Sequence, residues 1–337
     1  MLGDVGHPGP TAAPDASPAD ADADVDEHGS VSGQMESITT RGSIVVGTDG
    51  SSISNMALDW AARRASAGGG IPIVVVHAFA SDLPMLGFGV LRDDDTIRRE
   101  GDILLSAAKA RIHSIDPKLP VVTACVPGFA APALLRASDG ALMLVVGAVG
   151  RGVLSRVTLG AVMQQVVSYA GCPVVVVGRD PRTTAPYGRV VVGVDGSTTS
   201  LAAARFAFTH AASSGAQDVD VVTTWQARGR KDPLLAKGSD WDAYVSSAQS
   251  TVQSALADLV RKHPEVKVHH EVVEGDPLGV LVERSQDADL VVVGNRGLGG
   301  FEGLKLGSIS RGLLGHTPCP VVICHVAGTP VKQSTRV

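Results

Sequence analysis

Aromatic side chains are scarce in this 337-residue chain: Phe, Trp and Tyr together make up 4% of it. That leaves few rings on which nucleic-acid bases could stack, and a formal net charge of −5 supplies no broad basic field. Nucleic-acid binding is therefore not expected. Long hydrophobic runs are missing too. The longest, such as Ala141–Val146 and Pro173–Val177, fall far short of the ~20 residues that a membrane helix needs, so no membrane partner is expected. The first residues show neither a basic start nor an apolar stretch, and no secretory signal is read there. Four cysteines, Cys125, Cys172, Cys319 and Cys324, form no CxxC pair and no disulfide framework. They read as buried thiols of a reducing compartment, and the expected location is cytoplasmic.

Lys and Arg are absent from residues 1–40, which hold eight Asp and Glu residues; the rest of the chain carries 26 acids against 29 bases. This acidic segment has four prolines and no hydrophobic period, so it is expected to be a disordered leader. What the chain has in plenty is apolar residues (44%) and glycine (39 residues). That composition favours α/β layers rich in Val, Ala and Gly over a β-sandwich.

An internal repeat organises everything after residue 40. Ser43–Ser51 reads SIVVGTDGS and Arg189–Ser197 reads RVVVGVDGS, an offset of 146. Leu144–Gly150 (LVVGAVG) matches Val291–Gly297 (VVVGNRG), and Gly171–Val174 (GCPV) matches Pro318–Val321 (PCPV), both at an offset of 147. The spacing predicts one domain over 41–179, a linker over 180–188, a second copy of that domain over 189–326 and a tail over 327–337. In each copy, short Val-rich runs alternate with helix-like segments. Runs at 44–48, 71–78, 120–126, 142–147 and 173–178, repeated at 189–194, 218–225, 266–273, 289–294 and 319–324, read as strands of a parallel sheet buried on both faces. Two tandem, doubly wound, Rossmann-like α/β domains follow, with ligands expected beyond the strand C-termini where the strand order reverses.

Two strand ends carry chemistry. The first strand closes on Gly47-Thr48-Asp49-Gly50-Ser51, and its copy on Gly193-Val194-Asp195-Gly196-Ser197. An Asp there either caps the next helix or accepts hydrogen bonds from a base or ribose. The fourth strand is followed by Gly147-x2-Gly150-x9-Gly160, and in the copy by Gly294-x2-Gly297-x9-Gly307-Ser308. Such glycines permit close backbone approach to a ligand, and the last opens a helix whose N-terminus favours phosphate. Alternatively they form a flexible connection. The two Asp residues precede the two glycine motifs by 98 and 99 residues, which points to a nucleotide pocket in each copy.

These strand ends, the G-x2-G-x9-G-[S/T] loops and the following Cys-Pro-Val strands resemble the universal stress protein family in its tandem two-domain form, over about residues 42–326. The resemblance implies five-stranded parallel sheets of order 3-2-1-4-5 and binding of adenine nucleotide, ATP with Mg2+ held through its phosphates. It also implies a role in the stress response. Asp49 and Asp195 would face the adenosine end, with Gly47 and Gly193 also counted among the nucleotide-binding residues. Gly147, Gly150 and Gly160, with Ala161 at the next position, would line the phosphates in the first copy, and Gly294, Gly297, Gly307 and Ser308 in the second; Gly152 and Gly299 are also counted among the nucleotide-binding residues. The two pockets are expected to differ at one phosphate-facing position, where Ala161 lacks the hydroxyl of Ser308 and so weakens ATP binding.

Other signals lead nowhere. There is no Walker A loop, no G-x-G-x-x-G after the first strand and no G-x-S-x-G nucleophile. His269 and His270 are adjacent in a strand, face opposite sides and cannot share a metal. Arg228, Arg230 and Lys231 read as a solvated loop. No catalytic residue is expected. A nucleotide-binding regulatory protein leads, ahead of a slow ATPase or phosphotransferase and of an interaction scaffold with vestigial pockets. The apolar terminal strands, Pro173–Gly178 and Pro320–Cys324, would sit at sheet edges, so a homodimer or pairing of the two copies within the chain is expected.

Overall fold

The computed structural model describes residues 39–79, 94–149, 160–178, 187–216, 218–225, 240–298 and 305–326. Nearly all of the expected leader, most of the linker and the tail lie outside these residues, as do Arg228, Arg230 and Lys231. In the first half, β1 (Ile44–Gly47), α1 (Ser52–Ala67), β2 (Ile73–Phe79), α2 (Asp94–Ile115) and β3 (Val121–Pro127) are followed by α3 (Ala130–Ala137), β4 (Met143–Gly147), α4 (Ala161–Tyr169) and β5 (Val174–Val177). The second half repeats the order with β6 (Arg189–Gly193), α5 (Thr198–Ser214), β7 (Asp218–Trp225), α6 (Asp240–Lys262) and β8 (Lys267–Glu274). It closes with α7 (Pro277–Arg284), β9 (Leu290–Gly294), α8 (Ser308–His316) and β10 (Val321–Cys324). All ten strands fall within a few residues of the expected runs.

Each half has the strand order 3-2-1-4-5, but the halves do not form separate sheets. One ten-stranded sheet runs β3-β2-β1-β4-β5-β10-β9-β6-β7-β8. Its pairings are parallel except at the centre, where β5 and β10 run antiparallel with Val175 opposite Val322. The physical reason is that β5 (VVVV) and β10 (VVIC) are buried along their whole length. Left as edges, they would present apolar ladders with unpaired N–H and C=O groups, and each covers the other's. The two copies therefore pair within the chain. The outer edges fall to β3 and β8. In β8 (KVHHEVVE), Lys267, His269, Glu271 and Glu274 are exposed, so the expectation of a strand buried on both faces fails there. An outermost strand lies beyond the reach of the covering helices.

Alternate strand residues feed two cores. Ile44, Val46, Val190 and Val192 pack under α1, α2, α5 and α6, while Val45, Val191, Val174 and Val321 pack under α3, α4, α7 and α8. Each fully buried Val is worth about 1.5–3 kcal/mol. In α1, Ala57, Ala61 and Ala65 recur at helical spacing on the buried face, and small side chains let the helix lie close on the sheet. Cys172, Cys319 and Cys324 are buried, and burial pushes the Cys172 thiol up to about 12. Cys125 is only half-buried, against expectation, because it sits on the outer strand β3. Among the described residues no helix is long and apolar enough to cross a membrane.

Candidate nucleotide site

Strand order reverses between β1 and β4 and again between β6 and β9, and there the selected residues converge. In the first half a cleft of about 330 Å³ is lined by Gly47, Asp49, Gly147, Gly160 and Ala161, with Leu134 and Met163 among its apolar walls. Its size lies at the lower end of the range for small-molecule sites. Gly150, Gly152 and Gly299 lie outside the described residues.

The strand-end turn is built the same way twice. Asp49 Oδ1 accepts the N–H of Ser51 and Asp195 Oδ1 that of Ser197, both at 3.0 Å. The intervening Gly50 and Gly196 adopt φ of +74° and +85°, which a residue with a side chain rarely reaches. Neither Asp caps the helix that follows. Ser51 and Ser197 do so, accepting the N–H of Ser54 and Ser200 at 3.2 Å. Sequence spacing left the capping role of the Asp open. The structure assigns it to the serine two residues on, and each Asp instead shapes the turn.

Helices α4 and α8 start differently. Their N-caps are Gly160 and Gly307, and no side chain caps either helix. The first-turn N–H groups of such a helix have no intrahelical partner and carry the positive end of its dipole, the arrangement that suits a phosphate. Ala161 and Ser308 are the first residues of these helices, as the spacing required.

Several glycines answer to packing. A Cβ on Gly47 would lie 2.9 Å from Leu134 Cδ1, and one on Gly193 would lie 3.1 Å from Leu281 Cδ1, so the bare strand ends admit α3 and α7. A Cβ on Gly147 would come within 2.9 Å of Ile53 Cγ2, and one on Gly294 within 2.8 Å of the backbone carbon of Thr199. The motif thus lets the first turns of α1 and α5 close onto the sheet, whatever it also offers a ligand. A Cβ on Gly307 meets only ordinary contacts, the nearest at 3.5 Å.

The two sites differ at more than the one expected position. Aligned by the repeat, Ala148 faces Asn295, Ile53 faces Thr199, Ala161 faces Ser308 and Met163 faces Ser310. Each substitution places a polar group in the second copy, and most of them bind loop backbone. The Thr199 hydroxyl donates to the Arg296 carbonyl, Ser310 Oγ donates to the Gly294 carbonyl at 2.7 Å, and Asn295 Nδ2 donates to the Lys305 carbonyl at 3.3 Å. Leu298 N–H donates to Asp195 Oδ2 at 2.8 Å, and Gly297 leaves no room for a Cβ beside that same oxygen. Partial desolvation raises the Asp195 carboxyl. The hydrogen bonds from Ser197, Leu298 and Ser200 outweigh that and hold it below the usual carboxylate range. Thr199, Asn295 and Ser310 were missed because, taken singly, Thr, Asn and Ser after a strand look like ordinary turn and helix residues. Only the pairwise alignment of the copies exposes them.

His269 and His270 behave as expected of neighbours in a strand: His269 Nε2 meets Asp218 and His270 Nε2 meets Thr223. Among the described residues no group of three His, Cys, Asp or Glu is placed to hold a metal.

A tandem, doubly wound α/β protein with a cleft at the reversal point of its first half defines the class. Comparison with known proteins then supplies the family. The universal stress protein family model matches twice, at residues 40–178 and 186–325. A universal stress protein of Mycobacterium tuberculosis is 34% identical over 291 residues, covering 83% of this chain and 96% of that protein. One from Mycolicibacterium smegmatis is 32% identical over 303 residues, covering 86% and 98%. The crystal structure of a universal stress protein from Archaeoglobus fulgidus shares the fold at a TM-score of 0.62 with 19% identity, covering 85% of this chain and 98% of that one. The chain belongs to the universal stress protein family.

Proposed function

We propose that the halves 41–179 and 189–326 each bind an adenine nucleotide, ATP first among them, at the reversal point of the sheet. Occupancy then modulates the conformation or partner binding of a cytoplasmic stress-response protein. The observation that carries this reading is that α4 and α8 begin without a side-chain cap, each beside the strand-end turn of its half. The amides would receive the phosphates, Asp49 and Asp195 would face the adenosine end, and Mg2+ would be held through the phosphates. Ser308 would add a hydroxyl to the second phosphate site. A regulatory role is favoured over catalysis because Asp195 is already engaged by Ser197 and Leu298, and its lowered carboxyl is a weak proton acceptor.

Mass spectrometry of small molecules released from natively purified full-length protein, with calorimetric titration of ATP, tests the proposal. The expected result is an adenine nucleotide and saturable binding without phosphate release during the titration. Absence of both nucleotide and binding heat refutes it, and steady phosphate release replaces the regulator with an ATPase.

A further inference from the structure

A larger cavity, of about 610 Å³, lies where α1 of the first half meets α5 of the second, beside the starts of β6, β7 and β9. The strand starts place it at the opposite end of the second half from Asp195. Its lining includes Trp60, Arg64, His210, Ser214, Asp218 and Asp289. Arg64 is 8% exposed, and the hydrogen bond it makes is from Nη2 to Ser213 Oγ at 2.8 Å. Its Nε and Nη1 are buried without an acceptor, as are His210 Nδ1 and Ser214 Oγ without partners. These four atoms are a majority of the seven buried, unpartnered side-chain polar atoms among the described residues, and all of them belong to residues lining this one cavity.

Such a concentration needs a cause. A guanidinium keeps its charge in proteins, and burying it without an anion is costly. The C-terminal turn of α1 offsets part of that cost, since carbonyls there favour a cation. It does not supply acceptors for Nε and Nη1. His210 is sandwiched between Trp60 and Phe206, with ring centroids 5.9 and 5.8 Å apart. Burial, and then the charge of Arg64, lower it to about 3, so it is a neutral hydrogen-bonding group beside the arginine. Asp289 is saturated by the N–H groups of Tyr187, Gly188 and Arg189, and Asp218 is paired with His269. Both carboxylates would repel a polyanion.

We propose that this cavity is a second ligand site, separate from the nucleotide clefts, and that it takes a small organic molecule with one carboxylate and an apolar or aromatic body. The carboxylate pairs with Arg64 and is hydrogen-bonded by Ser214 once these two side chains turn their sealed polar atoms into the cavity, while the body lies against Trp60. Because the walls come from both halves, the ligand bridges them.

Benzoate is the probe and benzamide its uncharged control, titrated into the full chain by calorimetry. Saturable benzoate binding is expected, with benzamide weaker by at least about tenfold, as for a hydrogen-bonded charge. Arg64→Met should abolish benzoate binding and, without benzoate, melt no lower than the parent, since it removes an unmatched buried charge. Ser214→Ala, which deletes a single hydroxyl, should weaken benzoate several-fold and keeps the test alive if Arg64→Met does not fold. No saturable benzoate binding, equal binding of benzamide, or benzoate binding that survives either substitution unchanged overturns the proposal. So does a lower melting point for Arg64→Met, which would mark Arg64 as a packing residue.

Discussion

The two halves of this protein fold alike and differ where a ligand would sit. In the first, Ala148, Ala161 and Met163 line the cleft at the reversal point and Ile53 lies against Gly147. In the second, Asn295, Thr199, Ser308 and Ser310 stand in the same places, and three of the four hydrogen-bond the loop or strand end that follows β9. Backbone geometry is nearly indifferent to the exchange, because the strand register, the Asp-Gly-Ser turn and the glycine N-cap are all kept. A fold duplicated in this way can keep its architecture through Val, Ala and Gly while its two pockets diverge through a handful of small side chains. The side chains at a reversal point can thus change while the fold around them is kept.

The strongest test of the likeness is at the seam, where neither half should be able to fail alone. Val175 and Val322 face each other there and are fully buried. Val175→Asp and Val322→Asp each bury an unpaired carboxylate and should cost upwards of about 4 kcal/mol. Chemical denaturation should show equal losses from the two variants. Unequal losses, or loss of structure in one half only, would mean that the seam does not bind the halves into one unit.

Next come the strand-end glycines. Gly147→Ala drives a Cβ mainly against the Ile53 side chain, whereas Gly294→Ala drives it against both backbone and side chain of Thr199. Both are overpacking changes in the range of about 1–3 kcal/mol, and Gly294→Ala should be the costlier because backbone yields less. Urea midpoints decide the order. If Gly147→Ala is the worse, the second half accommodates strain that its hydrogen bonds were expected to resist.

At the paired positions Ala161 and Ser308 the expected effect is smaller and falls on the proposed binding. Ser308→Ala should weaken ATP in the second half by roughly tenfold, the lower end for a hydrogen bond to a charged group when water replaces part of it. Ala161→Ser should strengthen the first half by less, since its neighbours remain apolar. Calorimetry with each variant of the full chain reads both. Equal affinities in the parent would show that the hydroxyl does not set phosphate binding.

The mildest effect is a pH dependence confined to the second half. The folded-state carboxyl of Asp195 lies below its unfolded value of about 3.9. Its contribution to stability is therefore complete above that value and is lost as pH falls through the lower folded value. Because Asp195 remains exposed, solvent screening keeps the contribution modest. Acid unfolding followed by NMR should show the Leu298 amide shifting as Asp195 protonates, and Asp195→Asn should remove that shift. A Leu298 amide that ignores the titration would deny the hydrogen bond its role in ordering the loop.

Much of the protein could be read from its residues. Short Val-rich runs separated by helical segments force strands buried on both faces, and the duplicated SIVVGTDGS and RVVVGVDGS reveal two copies of one unit. The strand-end Asp49 and the glycines Gly147 and Gly160 fall on the cleft of the first half, because a parallel sheet sends its functional loops to the strand C-termini. Local chemistry determines such features, and local chemistry is what a sequence records. Tertiary structure decided the rest. Whether β5 and β10 would meet each other or a second chain depended on how two similar apolar edges are oriented. Ser51 rather than Asp49 caps α1 because of where the turn points each side chain. Gly294 is bare because Thr199, about a hundred residues away in sequence, closes onto it. Arg64 gave no sign in the sequence of being anything but a surface residue of a helix. It is buried because α5 of the other half lies across it, a contact that exists only once both copies share one sheet.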